Sequence, residues 1–368
     1  MTPMKQIDLV NKHVRMILKD SIIAVTSDTP LNTVSSAFHN GGFKKTRVIV
    51  NAQVPQDYND HSLHQDPEAF IQNRFHELGL KGFGEDFVGM ITFAVVDAYA
   101  SATMRNGDIA VSVVATAGCT HAESAGEKII PNHIPGTINL IVVIDGHPTE
   151  NCLVSTIITA TEAKTSALRE LDVRSLYSGN EATGTPTDAI VVAETGNGKS
   201  IVYGGPISPL GQLVAQCTKK AVKEAVEKAP IGGYPQRRSV RKRLAERHLS
   251  VEKMAQELSK VQSLGADEKI IAAALESILD DDVSATALFA AAKLSEDLEW
   301  GFVPPTLTDV AELGKRYGRL LSQGSGNDPV TVSNSVGSDK IDLPPFLKQV
   351  LVQLVGKALR DGKTGNLK

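Results

Sequence analysis

The fold is decided by three stretches, which read GTINLIVVIDG at 136–146, ITATEAKTSAL at 158–168 and YSGNEATGTPTDAIVVAE at 177–194. The first is an apolar run of strand length, and the third ends in another such run after a turn rich in Thr and Gly. Between them, apolar residues recur every three or four positions along Leu153–Leu171, which is the spacing of one helix face. This pattern predicts a strand, a crossover helix and a second strand.

One lysine interrupts the apolar face of the predicted helix. Lys164 carries an ammonium group that needs a partner or a route to water, whereas the other members of the face are apolar. Glu162 belongs to a separate polar stripe and points to roughly the opposite side of the helix. Two interpretations of Lys164 stay open, a place in a functional site and an ammonium that reaches water at a strand end.

Composition and charge are those of an ordinary globular protein. The chain has 368 residues, of which 42% are hydrophobic and 22% charged, and its net charge of -4 gives no reason to expect nucleic acid as a partner. No apolar run approaches the roughly 20 residues that span a bilayer, and the amino-terminal segment lacks a signal-peptide core. The 3 cysteines have no metal-like spacing and fit a reducing compartment. We therefore expect a cytoplasmic protein without a membrane span, and the oligomeric state stays open.

Composition changes at Pro230. Before it, a hairpin signal at Asn106-Gly107 and the crossover helix together predict a mixed sheet. After it, the basic run RRSVRKRLAERH at 237–248 lacks interleaved aromatic residues, which favours a solvated helix face over phosphate binding. We predict an α/β fold in which a mixed-sheet domain precedes a smaller all-helical domain. The predicted segments are an α/β domain at 1–230, a basic linker at 231–249 and a helical domain at 250–368.

Two local patterns resemble binding motifs without completing them. Gly196–Ser200 reads GNGKS, but the full phosphate loop needs a glycine where Ala193 stands and a helix afterwards. A hairpin turn between the strands on either side is favoured. His61 and His64 lie three positions apart in a polar loop with no third ligand at useful spacing, so no protein-bound metal is predicted.

Short polar side chains gather at the predicted strand ends, next to Gly or Ala. Small neighbours let hydroxyl and backbone N–H groups approach a large ligand closely, although turns and caps use the same residue types. Both interpretations stay open, and the residues alone predict a polar cleft without naming its substrate. The candidates are Ser35, Ser36, Asn51, Thr116, Thr120, Thr137, Asn139, Ser178, Thr183, Thr185, Thr187 and Asp188.

The same stretches carry a family resemblance. GTINLIVVIDG, ITATEAKTSALRELDVRSLYSG and ATGTPTDAIVVAE resemble the adenosylcobinamide amidohydrolase family (CbiZ type). The resemblance extends through LNTVSSAFHNGG, NAQVP, ATAGCTHAESAG and GPISPLGQLVAQCTKKAVKEAV, and it covers about residues 20–230. It implies hydrolysis of the aminopropanol amide of adenosylcobinamide to adenosylcobyric acid in corrinoid salvage. The substrate carries the cobalt, so the resemblance implies no cofactor of the enzyme itself.

The chain departs from the family pattern at three places. Pro186 stands where the Thr/Gly run usually has Gly, the segment 205–212 lacks the family's His, and His121 stands where Asn is frequent. Proline fixes φ and removes an N–H donor. These changes keep two alternatives open, a corrinoid-binding module without catalysis and an unrelated acyl-transfer enzyme on a similar fold.

The helical part is more weakly similar to the α-ribazole-phosphate phosphatase (CobZ type) that is fused to some relatives. Asp280–Asp282 and Leu343–Leu347 carry this similarity, but Lys348-Gln349 stand where the phosphatase has an acidic pair. Metal-assisted phosphatases need clustered carboxylates to hold their cations. We therefore favour a structural or degenerate helical domain over a bifunctional enzyme.

Amide hydrolysis needs an activated water or nucleophile, a stabiliser for the oxyanion and an acid for the leaving amine. Glu162 or Asp188 is the expected base, because one lies in the polar stripe of the helix and the other at a strand mouth. Lys164, or N–H groups around Thr116–Gly118, are expected to stabilise the oxyanion.

Threonine can itself attack an amide when a base is near, so Thr137 and Thr116 are alternative nucleophiles. Asn139 is expected to orient the substrate amide. The other polar residues are expected to bind the substrate. They are Ser36, Asn51, Ser178, Thr183, Thr185 and Thr187, together with Thr137 and Asn139.

Overall fold

A computed structural model describes residues 4–55, 66–80, 83, 86–128, 136–235, 238–302, 309–322 and 342–362. The chain divides into two compact units, Met1–Gln236 and Arg237–Lys368. The first combines strands and helices, and the described part of the second is helical. The predicted fold class, a mixed-sheet α/β region followed by an all-helical one, is confirmed.

The described part of the first unit contains eleven strands. They are β1 (Lys5–Asp8), β2 (Val14–Lys19), β3 (Ile22–Ser35), β4 (Gly42–Gln53), β5 (Val88–Thr92), β6 (Ala100–Asn106), β7 (Ile109–Gly118), β8 (Thr137–Asp145), β9 (His147–Pro148), β10 (Ala189–Glu194) and β11 (Ser200–Ile201). Its described α-helices are α1 (Pro67–Leu78), α2 (Glu150–Glu170) and α3 (Pro209–Lys228).

All of these strands except β9 and β11 form one large mixed sheet. Its order is β1-β2-β3-β10-β8-β7-β6, and β4 pairs with both β3 and β5. The β8–β10 and β4–β5 pairs are parallel, whereas the other pairs of this sheet are antiparallel.

Alternate side chains of β8 enter two different apolar cores, because successive residues of a strand point to opposite faces. Leu140 and Val142 pack with α2 and α3 on one face. Ile141 and Val143 pack on the other face with residues of β2, β3, β4 and β5. A third core joins the far side of β3 and β4 to α1. The sheet therefore curls, and its two halves face each other across an inner apolar layer.

The hairpin predicted at Asn106-Gly107 is confirmed, since β6 and β7 pair in an antiparallel way around it. Its first strand is Ala100–Asn106. The second predicted hairpin, at 195–199, is wrong. Strand β11 pairs with β9 in a separate small sheet, because β3 and β8 occupy both edges of β10.

Helix α3 buries one hydroxyl that lacks a partner. Thr218 is fully buried, and its Oγ1 makes no hydrogen bond in the described structure. Thr218→Val should raise the free energy of unfolding by about 1 kcal/mol, because valine keeps the shape and removes a desolvated hydroxyl. Urea unfolding followed by circular dichroism measures this. Thr156→Val is the matched control, since that buried hydroxyl donates to Cys152 O at 2.9 Å and its loss should bring no gain. Equal destabilisation of both variants would contradict the expectation.

The described α-helices of the second unit are α4 (Val240–Ala245), α5 (Val251–Ser259), α6 (Glu268–Asp280), α7 (Asp282–Glu299), α8 (Val310–Ser322) and α9 (Pro345–Arg360). They pack around α9, whose Phe346 and Val350 are buried in one apolar core. Ser250 and Asp267 cap α5 and α6, because the side chain of each accepts a hydrogen bond from a backbone N–H of the first turn. No helix in the described ranges combines the length and apolar composition needed to cross a bilayer.

The acidic and basic runs of this unit have structural partners. Arg241 Nη2 lies 3.2 Å from Asp280 Oδ1, and Arg247 Nε lies 2.9 Å from Glu296 Oε1. Asp281 caps α7 by accepting a hydrogen bond from Ser284 N at 2.9 Å. Two members of the Asp280–Asp282 run therefore have roles in helix packing and capping that need no metal.

Candidate active site

Polar side chains lie at one end of the inner apolar layer, where β4, β7, β8 and β10 end or begin. Asn139 follows the same alternation along β8 as Ile141, so it faces the inner layer and not the helices. Asn51, Thr116, Thr137 and Asn139 are all at most 2% exposed. Four of the residues singled out in the sequence thus converge at this end of the sheet.

Two asparagines link strands that are not sheet neighbours. Asn139 Nδ2 donates to Asn51 Oδ1 at 2.8 Å and to Ile91 O at 3.0 Å, and its Oδ1 accepts from Ala189 N at 3.1 Å. Asn51 Nδ2 donates in turn to Thr116 Oγ1 at 2.9 Å. Because both ends of the Asn139 carboxamide have protein partners, this network fixes the positions of the strand ends.

Asp188 lies just before β10 and accepts hydrogen bonds from three donors. Its Oδ1 accepts from Ile138 N at 2.9 Å and from Thr185 Oγ1, while its Oδ2 pairs with Lys164 Nζ. The two charged side chains are 11% and 17% exposed, so the pair is mostly withdrawn from water. A pair in such a place is stable only when further hydrogen bonds satisfy it, and Ile138 N and Thr185 supply them. This ion pair is the partner that the lysine in the helix face requires.

Gly184 lets the loop before β10 approach the ion pair. A Cβ atom at this position would lie 2.5 Å from Asp188 Oδ2 and 2.8 Å from Lys164 Nζ. Any side chain here would therefore displace the pair. Pro186 is exposed, and Thr185 and Thr187 on either side of it keep their hydrogen bonds. The departure from the family's Gly at Pro186 thus leaves the contacts of the loop in place.

A pair of threonine hydroxyls lies at the start of β8. Thr137 Oγ1 and Thr187 Oγ1 are 2.7 Å apart, and Thr187 Oγ1 donates to Gly136 O at 2.9 Å. Phe93 N lies 3.4 Å from Thr137 Oγ1. Thr187 is exposed whereas Thr137 is fully buried, so the pair connects the inner layer with the surface.

The loop after β7 supplies an acidic neighbour that the sequence analysis missed. Glu123 N donates to Gly184 O at 2.9 Å, which places this loop against the glycine beside the ion pair. Burial raises the pKa of the Glu123 carboxyl, and the negative charges of Asp188 and Glu127 raise it further. Glu123 stands in a run of small residues without periodicity, so no pattern in the sequence marks it.

Lys164 and Asp188, together with Ile138 and Thr185, form the ion-pair cluster. Four other candidates lie outside it. Glu162 is exposed and lines a surface pocket of α2 together with Arg169 and Glu181. The hydroxyls of the other three hold loops and strand ends. Ser178 donates to Glu127, Thr183 accepts from Ala125 N at 2.9 Å, and Ser36 accepts from Ile190 N at 3.1 Å.

Metal ligands do not cluster in the part of the chain that the structure describes. No group of three or more His, Cys, Asp and Glu side chains there could hold a metal ion. The histidines His61 and His64, considered as ligands in the sequence analysis, lie outside the described residues.

All cysteines of the chain are buried. Burial raises the pKa of Cys119 to about 12 and those of Cys152 and Cys217 to about 11. The thiolate is the reactive form, so the native protein should not react with Ellman's reagent at pH 8, whereas denaturant should release all 3 thiols. The absorbance of the released thiol reagent measures the number of reactive thiols in the native and in the denatured protein. Full labelling of a thiol in the folded protein, with unchanged circular dichroism, would contradict the expectation.

The first unit of the chain is similar in sequence to known proteins. The sequence model of the family described as adenosylcobinamide amidohydrolase matches residues 6–230. An uncharacterized protein of Methanocaldococcus jannaschii is 32% identical over 209 residues, which are 51% of this chain and 79% of that protein. An adenosylcobinamide amidohydrolase of Methanosarcina mazei is 29% identical over 219 residues, which are 57% of this chain and 96% of that protein.

Among solved structures, a Burkholderia sp. beta-aminopeptidase aligns with 62% of this chain and 87% of its own at 14% identity, with a TM-score of 0.32. A TM-score this low does not establish a shared fold. The helical unit lies beyond the matched residues, so its similarity to a phosphatase stays a prediction. The family match spans most of the α/β unit and every residue of the ion-pair cluster, and the chain belongs to the adenosylcobinamide amidohydrolase family.

Proposed function

We propose that this protein hydrolyses the aminopropanol amide of adenosylcobinamide and releases adenosylcobyric acid, which re-enters cobalamin synthesis. One observation carries the proposal. The residues matched by the family, 6–230, hold a desolvated ammonium–carboxylate pair beside two threonine hydroxyls at one end of the curled sheet. An ammonium group can stabilise the oxyanion and a threonine hydroxyl can act as the nucleophile, which are two of the functions that amide hydrolysis requires.

In this proposal Asp188 orients Lys164 and does not remove a proton from water. Its two oxygens already accept hydrogen bonds from Lys164, Thr185 and Ile138 N. The ammonium of Lys164 is then held in a place with little water, where a positive charge stabilises an oxyanion more strongly than it does in bulk solvent.

Glu162 has no role in the proposed reaction. It is exposed on α2 and lies two positions from Lys164, so the two side chains leave the helix on roughly opposite sides. The hydroxyl pair of Thr137 and Thr187 is the better source of a nucleophile, because it lies beside the strand ends that Asp188 and Asn139 hold in place.

The direct test is an incubation of the purified chain with adenosylcobinamide. Mass spectrometry follows free aminopropanol, and the visible spectrum reports corrinoid binding. Time-dependent release of aminopropanol in proportion to enzyme supports the proposal. A spectral shift without release identifies a corrinoid-binding protein and overturns it, and the absence of both also overturns it.

A further inference from the structure

The Thr137 hydroxyl has no ionisable side chain among its hydrogen-bond partners in the described part of the chain. Its contacts are Thr187 Oγ1 at 2.7 Å and Phe93 N at 3.4 Å. A threonine hydroxyl is a weak nucleophile near neutral pH unless a base takes its proton. Thr137 is also fully buried, so in the intact chain a substrate cannot reach it. A nucleophilic Thr137 therefore needs both a base and an opening.

Cleavage of the peptide bond before Thr137 would supply both the base and the opening, and the groups around this bond are arranged to favour its cleavage. Thr187 Oγ1 contacts the Thr137 hydroxyl and also donates to Gly136 O at 2.9 Å. One side chain thus touches a potential nucleophile and polarises the carbonyl that precedes it. The β-hydroxyl of a threonine can reach the carbonyl carbon of the preceding residue through a five-membered ring, and a hydroxyl donor on that carbonyl stabilises the resulting oxyanion.

Gly136 is suited to this attack. A Cβ atom at this position would lie 2.5 Å from Gly118 O and 3.3 Å from Thr185 Cγ2, so the fold accepts only glycine here. The residue before Thr137 is therefore held tightly in place next to the Thr137 hydroxyl.

We propose that the chain cleaves its own Gly136–Thr137 peptide bond and that the α-amino group freed on Thr137 then serves as the base for the Thr137 hydroxyl in amide hydrolysis. In the first step Thr137 Oγ1 attacks the carbonyl carbon of Gly136, and Thr187 stabilises the charge on Gly136 O. The hydroxyl proton passes to the nitrogen of Thr137, the C–N bond breaks and an ester forms. Water then hydrolyses the ester, which leaves a carboxylate on Gly136 and a free hydroxyl and amine on Thr137.

The second half of the inference rests on the proposed function, whereas the cleavage itself needs no substrate. A free α-amino group has an ordinary pKa of about 8, so it can accept a proton near neutral pH. In turnover the Thr137 hydroxyl attacks the substrate amide and its proton passes through the α-amine to the departing aminopropanol. Water then releases the corrinoid carboxylate from the Thr137 ester.

Intact mass and amino-terminal sequencing of the purified protein test the cleavage. We expect two fragments, of which the second begins at Thr137. Thr137→Ala should stay uncut, and Thr137→Ser should still be cut because serine carries the same hydroxyl. Thr187→Val should slow cleavage at least about 10-fold. Thr161→Val is the matched control, because its exposed hydroxyl only donates to Ile157 O at 2.8 Å, and it should be cut at the rate of the unchanged chain.

The outcomes separate this inference from the proposed function. An uncut chain that releases aminopropanol overturns the cleavage and leaves the proposed function standing. A chain cut before Thr137 that releases none supports the cleavage and overturns the proposed function. Cutting of Thr137→Ala at the same bond identifies an external protease and overturns the inference. If Thr137→Ala fails to fold, the test depends on the cleavage rates of the variants Thr137→Ser, Thr187→Val and Thr161→Val. Equal cleavage rates for Thr187→Val and Thr161→Val overturn the inference.

Discussion

Asp188→Asn should lower the kcat for adenosylcobinamide by at least about 100-fold. An asparagine at this position keeps one oxygen that accepts from Ile138 N, but it carries no negative charge. The Lys164 ammonium would therefore lose the Asp188 carboxylate with which it forms an ion pair. The ammonium then loses both its orientation and its counter-charge. Steady-state release of aminopropanol, measured by mass spectrometry, gives kcat and KM for each variant.

Folding and chemistry can be separated at this site with a second substitution. Asp188→Asn alone leaves a mostly buried ammonium unpaired, which should cost about 3 kcal/mol of stability. Adding Lys164→Met removes that charge, so the double variant should regain stability but not turnover. A double variant that regains turnover would show that the ion pair serves only the fold.

Glu162→Gln is the matched control on the same helix. Its side chain is exposed and lies on roughly the opposite side from Lys164, so kcat should stay within about two-fold of the unchanged protein. A loss as large as that of Asp188→Asn would instead restore Glu162 as the base. Unchanged turnover in both variants, with intact folding, would remove the ion-pair cluster from the reaction.

Asn139→Ala should lower the free energy of unfolding by about 4 kcal/mol. The substitution leaves Ala189 N, Asn51 Oδ1 and Ile91 O without their present partner, and each unsatisfied buried group costs about 1–3 kcal/mol. The missing carboxamide also leaves a small cavity among strands that pack tightly. Urea unfolding monitored by circular dichroism measures the change.

The exposed Asn180 is the control for this substitution. The structure records hydrogen bonds of its backbone only, so Asn180→Ala should change stability by less than about 0.5 kcal/mol. If Asn139→Ala falls within the same range, the asparagine network does not hold the strand ends together, and their geometry must depend on the apolar layers alone.

Local patterns in the sequence are sufficient to predict β8, α2 and β10. The apolar spacing along 153–171 predicts a helix that the structure places at Glu150–Glu170, and the runs on either side are parallel neighbours in the sheet. The same spacing shows that the Lys164 ammonium needs a partner or a route to water. It does not identify Asp188, because a partner 24 positions away depends on how the loop before β10 folds back.

The curling of the sheet is not accessible from such patterns. Alternation along a strand tells which side chains share a face, but not which layer covers that face. Thr116 and Asn139 lie opposite each other in the neighbouring strands β7 and β8, whereas Asn51 lies in β4. The hydrogen bonds of Asn51 to both residues depend on the inner layer between the two sheet halves. The wrong prediction of a hairpin at 195–199 has a similar cause. Turn chemistry is local, whereas the free edge that a partner strand needs is set by the whole sheet.

The most direct test of the account is the fate of oxygen during turnover in water enriched in oxygen-18. Hydrolysis of the aminopropanol amide predicts one labelled oxygen in the new carboxylate of the corrinoid product and none in the released aminopropanol, as mass spectrometry of both products shows. Label in the aminopropanol, or the absence of both products under conditions in which the protein is folded, would contradict the claim that this site hydrolyses that amide.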